Sequence, residues 1–221
     1  MTIELVVVIN GFPGVGKLTV ASHLCNLLPD ATVFDNHLLI DVAARLYERD
    51  HEAYLPLRKA LRAAVFDSLS THKESSSRRQ ILIFTECQSD NQLGQEVMFE
   101  YLAFARHHAV GAKFVSIILE CSTETNLERL VGQDRPEQGK TKLVDVEVLR
   151  EMRGRAVIHR YGLVSGSGHE NGNGEQGACT AEGVSYEWEI DSTGRTALEI
   201  ADYIAQKIAT LRHRASASLT T

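Results

Sequence analysis

The nine residues from Gly11 to Thr19, Gly-Phe-Pro-Gly-Val-Gly-Lys-Leu-Thr, constrain this chain more than any other feature of it. Before them runs a Val- and Ile-rich segment, Ile3 to Ile9, ended by Asn10-Gly11. After them Val20, Leu24, Leu27 and Leu28 recur at helical spacing until Pro29-Asp30 stops the pattern. The short apolar run reads as a buried strand and the periodic segment as a helix. A strand, a G-x-x-x-x-G-K loop and a helix in that order make a Walker A loop. Its glycines let successive backbone N–H groups turn onto an anion, the helix N-terminus adds a positive end, and Lys17 reaches the β- and γ-phosphates. A Gly-rich turn that binds nothing is the bland alternative, and it has no use for Lys17. The order G-x-x-G-x-G is also wrong for a dinucleotide fingerprint.

The rest of the chain alternates in the same manner. Short strands are expected at Thr32 to Phe34, Gln80 to Thr85, Lys113 to Leu119 and Tyr186 to Ile190. Helices are expected over 38–49, 53–70, 91–108, from Ser122 as cap through Leu130, and over 145–160. A last helix carries one apolar stripe of Ala197, Ile200, Ala201, Ile204, Ile208 and Leu211. Strands alternating with helices mean a parallel sheet covered on both faces, a three-layer α/β/α arrangement. No internal repeat breaks the chain, so 1–221 is read as one domain. The stretch 165–183 has six Gly and no aromatic residue, and it reads as a flexible insertion. Its His169 and Cys179 fit no metal-site spacing.

Composition removes several function classes. At 221 residues, 43% hydrophobic, the chain has length enough for a core without disulfide or metal staples. A formal net charge of −6 argues against a dedicated nucleic-acid binder. No apolar run approaches the length of a membrane span, and the start, Met-Thr-Ile-Glu-Leu, places a carboxylate where a secretory leader would be positive. Four scattered cysteines (25, 87, 121 and 179) suggest unpaired thiols and a cytoplasmic location. No spacing bears on oligomeric state.

The residue after Lys17 would ordinarily be a Ser or Thr ligating Mg²⁺. Here it is Leu18, and the hydroxyl comes at Thr19, better placed for a phosphate oxygen. The metal should then rely on water and on carboxylates at neighbouring strand ends. Ile81-Leu-Ile-Phe-Thr85-Glu86 ends a strand where a Walker B carboxylate would order Mg²⁺ through water, with Thr85 at the usual Asp position and Glu86 next. Glu86 is thus an outer-shell or acceptor-binding carboxylate, or a solvated strand end.

GFPGVGKLT resembles the loop of the adenylate-kinase and shikimate-kinase group of P-loop kinases, where adenylate kinases carry G-x-P-G-x-G-K-G-T. G-K-L-T followed by F-D-N-H is similar to a set of small bacterial and fungal P-loop proteins. The resemblance implies a five-stranded parallel sheet in the order 2-3-1-4-5, a mobile lid after strand four, and transfer of the γ-phosphoryl group of ATP to a small acceptor. Shikimate kinases have D-x-D where this chain has Asp35-Asn-His37. The resemblance then implies that Asp35 helps hold the Mg²⁺ shell and that His37 faces the accepting hydroxyl. Alternatively, Asp35 and Asn36 cap the next helix.

Arg129, Arg135, Lys140 and Lys142 resemble the lid cations of these kinases, within a loop at 133–143. Lid arginines neutralise charge on the transferring phosphoryl group. Of Arg150, Arg153, Arg155 and Arg160, one or two reach the substrate or the γ-phosphate. Asp191-Ser-Thr-Gly194 resembles the turn that cups adenine.

Together these readings point to an ATP- and Mg²⁺-dependent kinase acting on a hydroxyl or phosphate of a small molecule. ATP lies on Gly11, Gly14, Val15, Gly16, Lys17, Leu18, Thr19, Arg129 and Arg135. Lys17, Asp35 and Arg135 carry the chemistry, with His37, Glu86 and Arg153 toward the substrate. Asp35 and Glu86 hold the metal through water. A nucleoside monophosphate kinase is one alternative, although 38–72 offers only Arg45, Arg58 and Arg62 for a second phosphate. A nucleotide-dependent switch acting on a protein is the other.

Overall fold

The computed structural model describes residues 2–71, 79–108, 112–131, 143, 145–162 and 186–217. Within them β1 (Thr2–Asn10), β2 (Ala31–Asp35), β3 (Arg79–Glu86), β4 (Lys113–Glu120) and β5 (Tyr186–Asp191) form one sheet. Every pairing is parallel and the order is β2-β3-β1-β4-β5, as the resemblance implied. β1 lies at the centre between β3 and β4. Covered on both faces, it needs apolar side chains pointing both ways, which is why it reads as a continuous hydrophobic run.

Alternation along the strands sorts the core into two layers. Leu5, Val7, Ile9, Ile81, Ile83, Ile117 and Leu119 pack beneath α1 (Lys17–Leu27) and the C-terminal helix Ala197–Ala217. Val6, Val8, Leu82, Phe84 and Phe114 pack on the other face against Phe66, Met98, Tyr101 and Phe104. Those partners come from α3 (Tyr54–Thr71), α4 (Gln92–Ala103) and the π-helical turn Phe104–His108, with α2 (His37–Ala44) lying between β2 and α3. Phe66 stacks on Phe104 with ring centroids 4.5 Å apart and meets Tyr101 edge-on at 5.2 Å. Parity therefore points Thr85 to the α1 face and Glu86 to the α3–α4 face.

Two helices end earlier than expected. The first stops at Ala44 rather than near 49. The helix expected over 145–160 is α6 (Val146–Arg155), started by Asp145 Oδ1, which accepts from the N–H groups of Glu147 and Val148. Beyond Arg155 the chain extends, because Ile158 is buried and pairs antiparallel with Ser89, and the His159 N–H donates to Gln88 O at 2.9 Å. Burial and those partners outweigh another turn of exposed helix. Between β4 and α6 lies α5 (Thr123–Val131); the C-terminal helix is α7.

The loop 133–143, with Arg135, Lys140 and Lys142, lies outside the described residues apart from Leu143, and so does the Gly-rich stretch 165–183. Cys25, Cys87 and Cys121 are free thiols, as expected. Among the described residues no helix is long and apolar enough to cross a membrane.

Candidate active site

The phosphate loop leaves β1 at Asn10, a fully buried residue whose side chain organises its surroundings. Asn10 Oδ1 accepts from Gly11 N at 3.0 Å and from Gln88 N at 2.8 Å, and its Nδ2 donates to Gln88 O at 3.0 Å. The start of the loop is thereby tied to the segment leaving β3. The three glycines serve different needs. A Cβ on Gly11 would sit 2.3 Å from the Leu119 carbonyl oxygen, so β4 passes too close for any side chain. Gly14 and Gly16 have φ of 85° and 97°, values that disfavour other residues. In front of Gly16 nothing lies within 4 Å of where a Cβ would be.

α1 begins directly after that glycine. No side chain caps it and its first turn holds no acidic residue, so an incoming anion would meet uncompensated helix-end charge. Lys17 folds back over the loop and donates Nζ–H to the carbonyls of Gly11 and Phe12, each at 2.8 Å. Val15 is buried, Leu18 half-buried and Thr19 exposed. An open positive-φ glycine, an uncapped helix end and a lysine on the same loop fit a polyphosphate.

Asp35 and Thr85, at paired positions of β2 and β3, are joined by a 2.6 Å hydrogen bond from Thr85 Oγ1 to Asp35 Oδ1. Both face the α1 side of the sheet. They offer carboxylate and hydroxyl oxygens, the hard donors a magnesium ion takes, which suits a loop whose Leu18 offers none. Among the described residues no cluster of three or more His, Cys, Asp or Glu is arranged to hold a metal.

Glu86 lies on the other side of the sheet and is 1% exposed. Its Oε1 accepts from Tyr101 OH at 2.5 Å, and its Oε2 from Asn36 Nδ2 at 2.6 Å and Gln88 Nε2 at 2.7 Å. Burial, with the adjacent Glu86 charge, holds the Tyr101 phenol well above its ordinary value. Asn36 does not cap α2 with its side chain. Its amide instead bridges Glu86 and Arg58, whose Nη2 donates to Asn36 Oδ1 at 3.0 Å. His37 opens α2 and is half-buried. Burial raises the Cys87 thiol above its usual value against the opposing charges of Lys17 and Arg49.

Two arginines brace the loop from behind. Arg129 donates to Val15 O at 3.4 Å, to Ser192 Oγ and O at 2.8 and 2.9 Å, and to Arg195 O at 3.1 Å. It joins the phosphate loop to the turn after β5. Arg153 lies over the Phe12 ring at 5.1 Å and donates to Asn126 Oδ1 at 2.9 Å, while Asn126 Nδ2 donates to Pro13 O at 2.8 Å. Arg160 faces away, paired with Glu120 and Glu189 at 2.6 Å each. Arg150 and Arg155 are exposed and paired with Glu147 and Glu151 on their own helix.

Spacing alone missed Tyr101 and Asn126, and it read Asn10 only as a strand end, Asn36 as a helix cap and Arg58 as a candidate for a second phosphate. A single Asn or Tyr in a strand end or helix carries no pattern; only the fold brings these side chains to the ends of β1 and β3.

A family described as "AAA domain" matches residues 7–150, about two-thirds of the chain. The chain belongs to that family. The match takes in the whole phosphate loop and runs into α6, so this AAA domain includes Asp35, Glu86 and Arg129. No curated protein matches the sequence. Among solved structures, a candidate kinase from Chloroflexus aurantiacus J-10-fl is similar with a TM-score of 0.55 and 19% identity, over 95% of this chain and 98% of that one. A gluconokinase from Sinorhizobium meliloti 1021 is similar with a TM-score of 0.50 and 13% identity, over 99% of each chain. At such identities these likenesses establish the fold of the AAA domain and nothing finer.

Proposed function

We propose that this AAA domain is a phosphotransferase that moves the γ-phosphoryl group of Mg-ATP to a hydroxyl or phosphate of a small molecule. The observation that carries the reading is the phosphate loop itself: Gly16 open to the outside, α1 uncapped behind it, and Lys17 poised across it. The names of the two fold relatives, a candidate kinase and a gluconokinase, support it.

In this reading ATP lies on Gly11, Gly14, Val15, Gly16, Lys17, Leu18 and Thr19, with its base against the turn that Arg129 ties to the loop. Lys17 exchanges its two carbonyl partners for phosphate oxygens. Asp35, kept in orientation by Thr85, orients the accepting hydroxyl and would hold the metal shell through water; Glu86, buried on the other face of the sheet, acts on that site only through Asn36, which follows Asp35. Magnesium, when bound, neutralises the phosphate charge. The acceptor oxygen forms a bond to the γ-phosphorus while the bond to the β–γ bridging oxygen breaks; a hydroxyl acceptor gives up its proton to water, and ADP leaves. Arg135, from the loop 133–143, neutralises the charge spread over the transferring group. His37 contacts the acceptor, while Arg153, held by Asn126 and Cys121, braces the loop rather than reaching the substrate. Positioning and electrostatics supply nearly all the catalysis in such transfers. The enzyme so described is cytoplasmic.

The test is ADP release from the wild-type chain with panels of small alcohols, sugar acids and nucleoside monophosphates, beside Lys17→Ala. One acceptor should stimulate the wild type, and Lys17→Ala should lose that turnover while keeping its melting temperature. Undiminished turnover in Lys17→Ala removes the reading. Stimulation only by a macromolecule would favour a nucleotide-dependent switch.

A further inference from the structure

The phosphate loop springs from Asn10, and what holds the Asn10 side chain is backbone. Its Nδ2 donates to Gln88 O at 3.0 Å and to His159 O at 3.5 Å, while its Oδ1 accepts from Gln88 N and Gly11 N. The carbonyl of Gly11 is in turn one of the two that receive Lys17. Where Gln88 and His159 stand therefore sets where the loop starts.

Those two residues lie on segments far apart in the chain, joined as a short antiparallel ribbon. Ser89 pairs with Ile158, the His159 N–H donates to Gln88 O at 2.9 Å, and the Asp90 N–H donates to Val157 O at 2.7 Å. A side-chain pair spans the ribbon, with His159 Nδ1 3.0 Å from Asp90 Oδ1. Hydrogen bonds from Gln95 and His159 hold the Asp90 carboxyl below its usual range. Ionised, Asp90 can only accept, so the imidazole carries a hydrogen on Nδ1 and donates it.

This pair is poorly suited to a purely stabilising role. The Asp90 side chain is 47% exposed, where such a pair adds little to stability. The imidazole is buried and its Nε2 has no hydrogen-bond partner, a cost that an apolar side chain of like size would avoid. What the pair supplies is direction: it fixes the main chain at His159 against that at Gln88, and Asn10 reads the position of both.

We propose that Asp90 and His159 are positioning residues for nucleotide binding. By fastening 157–159 to 88–90 they hold Asn10, and through Asn10 the start of the phosphate loop, in the orientation that receives phosphates. The effect on nucleotide rests on the phosphotransferase reading; the effect on the loop does not.

Two measurements on the full chain separate them. Calorimetric titration with Mg-ATP should show affinity about tenfold weaker in Asp90→Ala and in His159→Leu, the scale of a coupled contact. Asp90→Asn keeps an oxygen for Nδ1–H and His159→Asn keeps a donor near the same place, so both should recover most of the loss. Hydrogen exchange should quicken at the Gly11 and Val15 amides in the two disruptive variants and stay unchanged in α7; a general loss of stability would quicken both. Asn10→Ser severs the link, so adding Asp90→Ala to it should weaken ATP no further; if Asn10→Ser fails to fold, the exchange measurement decides. Loop exchange unchanged in folded Asp90→Ala and His159→Leu, or affinity losses that simply add in the double variant, overturns the inference. Faster loop exchange in these variants of a chain whose wild type binds no Mg-ATP would leave the clamp standing and remove the phosphotransferase reading instead.

Discussion

Thr85 donates its hydroxyl to Asp35 Oδ1 at 2.6 Å, tying together the ends of two neighbouring strands beside the phosphate loop. Asp35 is only half-buried, and this bond, with a longer one from the His37 N–H to the same Oδ1 at 3.4 Å, holds its carboxylate in one orientation. If Asp35 orders the magnesium shell, Thr85→Val should raise the Mg²⁺ midpoint for ATP turnover. Asp35→Asn should raise it further and cut turnover roughly a hundredfold, the scale set by losing a positioned group. Glu86→Gln should act in the same direction, more mildly. Leu18→Ser should lower the midpoint or leave it alone, since it supplies an oxygen where the loop has none. A midpoint unchanged in Asp35→Asn would remove Asp35 from the metal.

Tyr101→Phe should be costly although it removes one oxygen. It leaves Glu86 Oε1 in the interior without that donor, a penalty of about 1–3 kcal/mol. Urea denaturation of the variant and the wild type measures it. A difference near zero would mean that water takes the hydroxyl's place.

Gly11→Ala and Gly16→Ala should fail in different ways. At Gly11 the new methyl meets backbone, 2.3 Å from Leu119 O, and the β1–β4 pairing must shift. Overpacking of this kind costs about 1–3 kcal/mol or more, visible as a lowered melting temperature. At Gly16 the methyl has room, so the penalty is the left-handed backbone, about 1–2 kcal/mol. It points, however, into the space expected to receive the phosphates. ATP affinity by calorimetry should therefore fall at least roughly tenfold, or about 1.4 kcal/mol, in Gly16→Ala. Unweakened binding there would count against this loop as the phosphate site.

Arg129→Lys should weaken ATP binding roughly tenfold with a smaller effect on kcat, because an ammonium cannot span the Ser192, Arg195 and Val15 oxygens together. Separate measurement of KM and kcat reads this. A fall in kcat alone would assign Arg129 to the transferring group rather than to the loop.

The order of the elements and the place of the phosphate loop were legible in the residues themselves. Apolar runs of period two or 3.6 and the punctuation of Asn10-Gly11 and Pro29-Asp30 are local signals, each set by a few neighbouring side chains. The helix expected over 145–160 shows where such signals stop. Its last residues are pulled out of the helix by partners some 70 positions away, Gln88 and Ser89, whose proximity no local pattern encodes.

Within the site the division is the same. Lys17 could be assigned from spacing because its position in the motif defines its reach, and Asp35 and Glu86 were found at strand ends by the same logic. That these carboxylates lie on opposite faces of the sheet, Asp35 with Thr85 and Glu86 inside a cluster of Tyr101, Asn36 and Gln88, follows from pleat parity and helix packing. Asn36 looked like a helix cap and became the link between Glu86 and Arg58, because its Oδ1 accepts from the charged Arg58 guanidinium, a stronger donor than a helix N–H, while its Nδ2 donates to the buried carboxylate. The sequence by itself determined the strand–loop–helix that can hold phosphates. Tertiary structure alone decided which side chains share the adjoining space, since distances across a folded sheet depend on packing and not on separation along the chain.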